Sequence, residues 1–227
     1  MKTRILAVLL LLALLLTACA SGSELEKSGK EPKEMHRADE TVNSVPDVDI
    51  GEVDGNTYRH VDLGFSVTFP EGWEIGKRRV VVAEEAGLIN SVALDRAEVL
   101  DAVNEGQDVS IFAATDGSAT VFLSVSLNPL PKADPNGDDF VNHFAPLIRQ
   151  KYAAYDAWTL HSCEPYDVDF CGEDHVALKL SFGSGDTIIG EETRMYLPCG
   201  DLLYTLSVSS GSEDTNAEVL NYFEPLG

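Results

Sequence analysis

Six consecutive residues, Asp134-Pro135-Asn136-Gly137-Asp138-Asp139, place side-chain oxygens at positions one, three and five of a calcium-loop pattern. Position six is Asp139 where that pattern needs glycine, and position twelve is Ala145 where it needs a bidentate glutamate. The same residues make a turn that feeds a helix start, and this is the reading adopted. Cys171 and His175 stand four apart, as half of a zinc site would, but no CxxC or HxxxH supplies a second pair. Gly183-Ser184-Gly185-Asp186 lacks the GxSxG frame of a nucleophile elbow and reads as a hairpin turn. The histidines, His36, His60, His143, His161 and His175, share no motif with a nucleophile, and no glycine-rich loop has phosphate-binding spacing. No catalytic residue, metal or cofactor is therefore expected.

The elements that would carry these residues are mostly strands. Phe65, Val67 and Phe69 alternate with Ser66 and Thr68, Pro70-Glu71-Gly72 turns the chain, and Arg79 to Ala83 continues as a β-branched run. Asp95 caps a helix to about Asn104 with Ala97, Leu100 and Val103 on one side, and Gly106 ends it. Val109, Ile111 and Ala113 alternate up to the turn Asp116-Gly117, and Val121, Leu123, Val125 and Leu127 line the returning strand. Phe140, Phe144, Leu147 and Ile148 recur at helical spacing from Asp138 or Asp139. Pro146 requires that helix either to kink or to begin its regular part near Asn142.

Five further strands are expected: Trp158 to Ser162, Pro165 to Phe170, His175 to Phe182, Ile188 to Leu197 and Asp201 to Ser209. The inward faces of the last three are Val176, Leu178, Leu180 and Phe182; Ile189, Thr193, Met195 and Leu197; and Leu202, Tyr204, Leu206 and Val208. Short turns make them an antiparallel meander. Ser212 caps a closing helix with Ala217, Leu220 and Phe223 inward. Strands with helices between and after them indicate an α+β domain, an antiparallel sheet covered by helices. In such a meander Cys171 and Cys199 fall in turns at the same end of the sheet and Cys163 at the other. The expected disulfide is Cys171–Cys199, with Cys163–Cys171 as the alternative.

The chain has 227 residues, and 38 acidic against 16 basic residues give a formal charge of −22, which makes nucleic acid a poor partner. Lys2 and Arg4 precede the twelve-residue apolar run Ile5 to Leu16, an export signal too short for an ordinary spanning helix. Leu16-Thr17-Ala18-Cys19 follows and resembles the lipobox of bacterial lipoproteins, in which the cysteine is acylated and becomes the mature N-terminus. Two or three acyl chains hold a protein stably on a bilayer. Residues 20–56 hold ten acids, four bases and no aromatic residue, a composition of a disordered tether. The expected organisation is a signal peptide over 1–18, a lipidated tether over 19–56 and one domain over 57–227 carrying a charge of −18.

Leu63-Gly64-Phe65-Ser66-Val67-Thr68-Phe69-Pro70-Glu71-Gly72-Trp73 resembles the opening segment of the PsbP-like superfamily. Cys171 to Leu178, Glu192 to Ser209 and Val219 to Phe223 are similar to its glycine turn, its paired central strands and its closing helix. The resemblance spans about Tyr58 to Pro225, with an insertion around Ala86 to Gln107. It implies an α/β/α-type sandwich around an antiparallel sheet, and action by binding macromolecules instead of catalysis; no ligand residue of the family maps onto a motif here. The expected function is a membrane-anchored, extracytoplasmic binding module for a protein or cell-envelope component, acting through its sheet edge or the insertion. It touches lipid through acylated Cys19. The alternative is an extracytoplasmic hydrolase whose site assembles only in three dimensions.

Overall fold

The computed structural model describes residues 45, 47–76, 80–83, 89–92, 95–154 and 158–227. The expected signal, the lipid attachment at Cys19, and the first part of the insertion lie wholly or partly outside them. Strands β1 (Glu52–Asp54), β2 (Thr57–His60), β3 (Phe65–Thr68) and β13 (Phe223–Pro225) form a four-stranded sheet in the order β1-β2-β3-β13. A seven-stranded sheet runs β4 (Glu74–Ile75), β7 (Val109–Thr115), β8 (Ala119–Leu127), β12 (Leu202–Ser210), β11 (Thr187–Cys199), β10 (Glu173–Ser184), β9 (Thr159–Phe170). A ribbon of β5 (Val80–Ala83) and β6 (Ile89–Val92) lies against β7. Every described pairing is antiparallel, and with helices α1 (Arg96–Asn104), α2 (Asp138–Ala153) and α3 (Glu213–Leu220) the chain is an α+β fold.

Two cores lie on the two faces of the larger sheet. Val121, Leu123 and Val125 of β8, Met195 and Leu197 of β11 and Tyr204, Leu206 and Val208 of β12 meet Tyr58, Phe65, Val67 and Phe69 of the smaller sheet, so one face is covered sheet on sheet. Val99 and Val103 of α1 and Val219 and Leu220 of α3 close the same core. On the opposite face, Phe140, Val141, Ala145, Ile148 and Tyr152 of α2 pack on Cys163, Leu178, Leu180 and Phe182 of β9 and β10.

The helix starts follow local chemistry. Asp95 accepts from the Glu98 amide while the Glu98 side chain bonds back to the Asp95 amide, a reciprocal capping box. Ser212 accepts from the Thr215 amide in front of Glu213 and Asp214, whose charges suit the helix dipole. Their inward faces match expectation at Leu100, Val103 and Leu220 and differ from it elsewhere. Val99 and Val103 are buried in α1 while Ala97 is exposed, and Asn216, Val219 and Leu220 are buried in α3 while Ala217 is exposed. Phe223 belongs to β13, paired with Val67. Helix α2 runs continuously from Asp138 with Pro146 on its exposed side; Leu147, expected inward, is 44% exposed. Ile189 of β11, also expected inward, is 40% exposed. The two strands expected between Trp158 and Phe170 are one strand, because Pro165 sits on the outermost described strand, where no described neighbour needs its missing N–H.

Ordered structure begins before the boundary drawn at Asn56. Val45, Val48 and Ile50 are buried in the main core. The Asn104 side chain clips the start of this strap from both sides, accepting from the Val45 amide (2.9 Å) and donating to its carbonyl (3.3 Å). Asp49 accepts from the amides of Gly51, Val61 and Asp62, and Tyr204 donates to the Asp49 carbonyl at 3.0 Å. At Gly51, with φ +63°, a Cβ would fall 2.4 Å from the Tyr58 ring, so the strap turns there only on glycine. His60 is fully buried 3.2 Å from Asp49; burial outweighs that charge and lowers its pKa, so at neutral pH the imidazole is uncharged. The three aliphatics escape a compositional reading because acids and proline surround them.

Candidate functional site

Alternation along each strand assigns side chains to faces. On β12, Tyr204, Leu206 and Val208 enter the sheet-on-sheet core, so Thr205, Ser207 and Ser209 face the α2 side; on β8 the same rule puts Thr120, Phe122, Ser124 and Ser126 there. Register then joins them. One row runs Thr120, Ser209, Glu192, Leu180, Cys163 across β8, β12, β11, β10 and β9, and the next runs Phe122, Ser207, Arg194, Leu178. In both rows polarity changes between β11 and β10. The apolar end lies under α2, which also reaches β11, where Phe144 stacks on Tyr196 with ring centroids 4.6 Å apart.

Within this polar half-sheet Arg194 Nε donates to Glu192 Oε1 at 2.7 Å, with the side chains 15% and 2% exposed. Burial works against the Arg194 charge, but Glu192 and the neighbouring tyrosine oxygens more than offset it and hold the guanidinium firmly protonated. Burial likewise raises Tyr152 and Tyr196 beyond the usual phenol range. Asp108, just before β7, is pushed up to about 6 by burial, against a Ser124 hydrogen bond and the charges of Arg194 and Lys151. Its Oδ1 is buried and, like the hydroxyls of Ser207 (1% exposed) and Ser209 (2% exposed), has no hydrogen-bond partner among the described residues. The site thus offers rotatable hydroxyls and an acid that titrates near neutrality, set beside a fixed ion pair. Among the described residues no histidine joins these serines: His60 lies in the other core, His143 on α2, His161 on β9 and His175 on β10.

The residues singled out from sequence lie elsewhere. In the Asp134–Asp139 turn the acids are engaged with backbone amides: Asn136 N–H donates to Asp134 at 3.0 Å and Asp134 N–H to Asp139 at 3.2 Å, as a turn requires. Gly137 (φ +96°) leads into α2 without a side-chain cap, and a Cβ there would meet the Val176 carbonyl at 2.6 Å. Ser184 ends β10 at a two-residue turn.

The expected Cys171–Cys199 disulfide is not formed: Cys163, Cys171 and Cys199 are all free. Cys171 follows β9 and Cys199 ends β11, with β10 between. Strands two positions apart are separated by about 9.6 Å, beyond the roughly 4.4–6.8 Å between Cα atoms that a disulfide spans. The gap is also occupied, since the β10–β11 ladder stops at Leu178/Arg194 and Val176 N–H donates instead to the Asn136 carbonyl at 2.8 Å. Burial raises the Cys171 thiol to about 11, aided by Asp169 and Glu173, and raises Cys163 and Cys199 as well, which disfavours thiolate chemistry. Cys163 lies mid-strand in the α2 core, not at the far end of the sheet.

No family model and no curated protein matches the chain. Among solved structures it is similar to cyanobacterial PsbP (CyanoP) from Synechocystis sp. PCC 6803, at 15% identity and TM-score 0.44 over 77% of this chain and 96% of that one. It is also similar to LpqN, involved in cell envelope biogenesis of Mycobacterium tuberculosis, at 10% identity and TM-score 0.34 over 70% of this chain and 82% of that one. A third is a Pseudomonas aeruginosa protein of unknown function described as a putative regulator, at 12% identity and TM-score 0.30 over 61% and 86%. No described helix is long and apolar enough to cross a membrane.

Proposed function

We propose that the chain is an extracytoplasmic binding module, held on the membrane through acylated Cys19, that takes a protein or other polar envelope component on the half-sheet of β7, β8 and β12. One observation carries this reading: the hydroxyls of Ser207 and Ser209 are buried on that half-sheet without described partners. A buried unsatisfied polar group costs about 1–3 kcal/mol, and a ligand that bonds these hydroxyls offsets that cost. A photo-crosslinking residue at Phe122, in the middle of the half-sheet, tests it in the full-length chain on native membranes. An adduct is expected there and not from the same residue at Val61, which is 60% exposed beside the smaller sheet. Equal labelling at both positions, or none at Phe122, overturns the reading. Cys19→Ser should move the chain from the membrane to the soluble fraction.

A hydrolase reading draws on Asp108, whose carboxyl near 6 falls in the range of a general acid or base. It requires turnover of an ester, amide or glycoside that Asp108→Asn abolishes while binding persists.

A further inference from the structure

Strand β9 is the outermost described strand of the larger sheet and, among the described strands, pairs with β10 alone. A free edge invites another strand, and proteins guard against this with bulges, prolines, charges or covering side chains. The first half of β9 is guarded. A register shift between Ser181 and Phe182 disrupts the ladder beside His161, Arg149 of α2 caps the Cys163 carbonyl and reaches Glu164 at 3.4 Å, and Pro165 has no N–H. The second half, Tyr166 to Phe170, is regular, and none of these bulge, proline or covering devices falls on it.

Its side chains define what can lie beside it. Tyr166, Val168 and Phe170 turn toward the main core, while Asp167 and Asp169 are exposed on the α2 side. Asp169 stands directly opposite exposed Asp174 of β10, a like-charge cross-strand pair that costs stability unless a cation lies between or beside the carboxylates. The Val176–Asn136 hydrogen bond draws the turn bearing exposed Asp134 and Asp138 to the same end. Backbone groups give such an edge its affinity for an extended segment, and alternate side chains give it specificity. We infer that β9 over Tyr166 to Phe170 docks an extended, lysine- or arginine-rich segment of a partner protein as an eighth antiparallel or parallel strand. This surface is separate from the hydroxyl half-sheet, so either assignment can fail without the other.

The probe is a seven-residue peptide of alternating lysine and valine, titrated into the full chain, with binding read by anisotropy and location by hydrogen–deuterium exchange. Saturable binding is expected, with slowed exchange at 166–170. Affinity should fall at least tenfold in Asp167→Asn/Asp169→Asn, and be lost when alternate backbone amides of the peptide are N-methylated, a change that leaves its charge intact. A folded double variant is confirmed by unchanged exchange in β12. Equal binding of the N-methylated peptide, equal binding of a glutamate–valine peptide, or protection confined to other segments overturns the proposal. So does self-association of the chain that protects 166–170 without peptide, since a second copy would then be the occupant.

Discussion

On one face of the larger sheet Val121, Leu123, Met195 and Leu206 sit in a dry core beneath a second sheet; on the other, their chain neighbours Thr120, Phe122, Arg194 and Ser207 share a half-sheet of hydroxyls and charge. Both sets include side chains shut off from water: Leu123 is 0% and Ser207 1% exposed. Burial therefore has two meanings in this molecule. On the first face it removes apolar surface from water at roughly 25 cal/mol per Å²; on the second it leaves the Ser207 and Ser209 hydroxyls without a hydrogen-bond partner among the described residues.

The contrast can be broken by substitution. Phe65→Ala, at the centre of the apolar face, should cost about 3–5 kcal/mol, seen as a large drop in urea midpoint; a loss below 1 kcal/mol would mean that the two sheets are not packed as described. Glu192→Ala strands the Arg194 charge in a mostly buried site and should cost about 3 kcal/mol. Replacing both residues, as Glu192→Ala/Arg194→Met, should recover most of that loss.

Stability against pH sharpens it further. Folding raises the Asp108 carboxyl from its ordinary value of 3.8 to about 6, so between those values the folded chain keeps a proton that the unfolded chain releases. The contribution is present in full below pH 3.8 and is lost as pH rises through about 6. Asp108→Asn should match the wild type near pH 3.5 and exceed it above pH 6; equal stability at pH 7 would place the carboxyl in water. The smallest effect has the opposite sign from the first. Ser207→Ala removes a buried hydroxyl that has no partner among the described residues and should raise stability by about 1 kcal/mol, while weakening the Phe122 crosslink.

Much of the framework was legible in the sequence because it is local. Asp116-Gly117 specifies the hairpin between β7 and β8, Leu202, Tyr204, Leu206 and Val208 face the core as their alternation states, and Asp95 and Ser212 cap their helices. Short helices are less legible. With nine residues in α1 and eight in α3, a shift of one or two positions moves the inward face from Ala97 to Val99 or from Ala217 to Asn216. The candidate site was not legible. Ser207 and Ser209, alternating with Leu206 and Val208, have the pattern of a strand with one wet face, and Glu192-Thr193-Arg194 is the sole hint of a same-face charge pair. Only register across β8, β12 and β11 joins those residues, and register depends on partners far away in sequence. The failed disulfide has the same origin: both cysteines are at the predicted end of the sheet, but an intervening strand and the Asn136–Gly137 turn stand between them.

The strap from Val45 to Gly51 has a mechanical consequence. Under the lipid anchorage proposed above, tension between membrane and domain reaches the strap at Val45. There it meets the Asn104 clip, formed by a residue 59 positions further along the chain at the end of α1, then the Asp49 bonds to Val61 and Asp62, before it reaches the exposed strand β1. The load is thus shared between a helix and a loop of the smaller sheet, instead of peeling β1 from β2 one pair at a time. Asn104→Ala would move the point of first yield within the strap inward to Asp49, about four residues along, or roughly 14 Å at full extension.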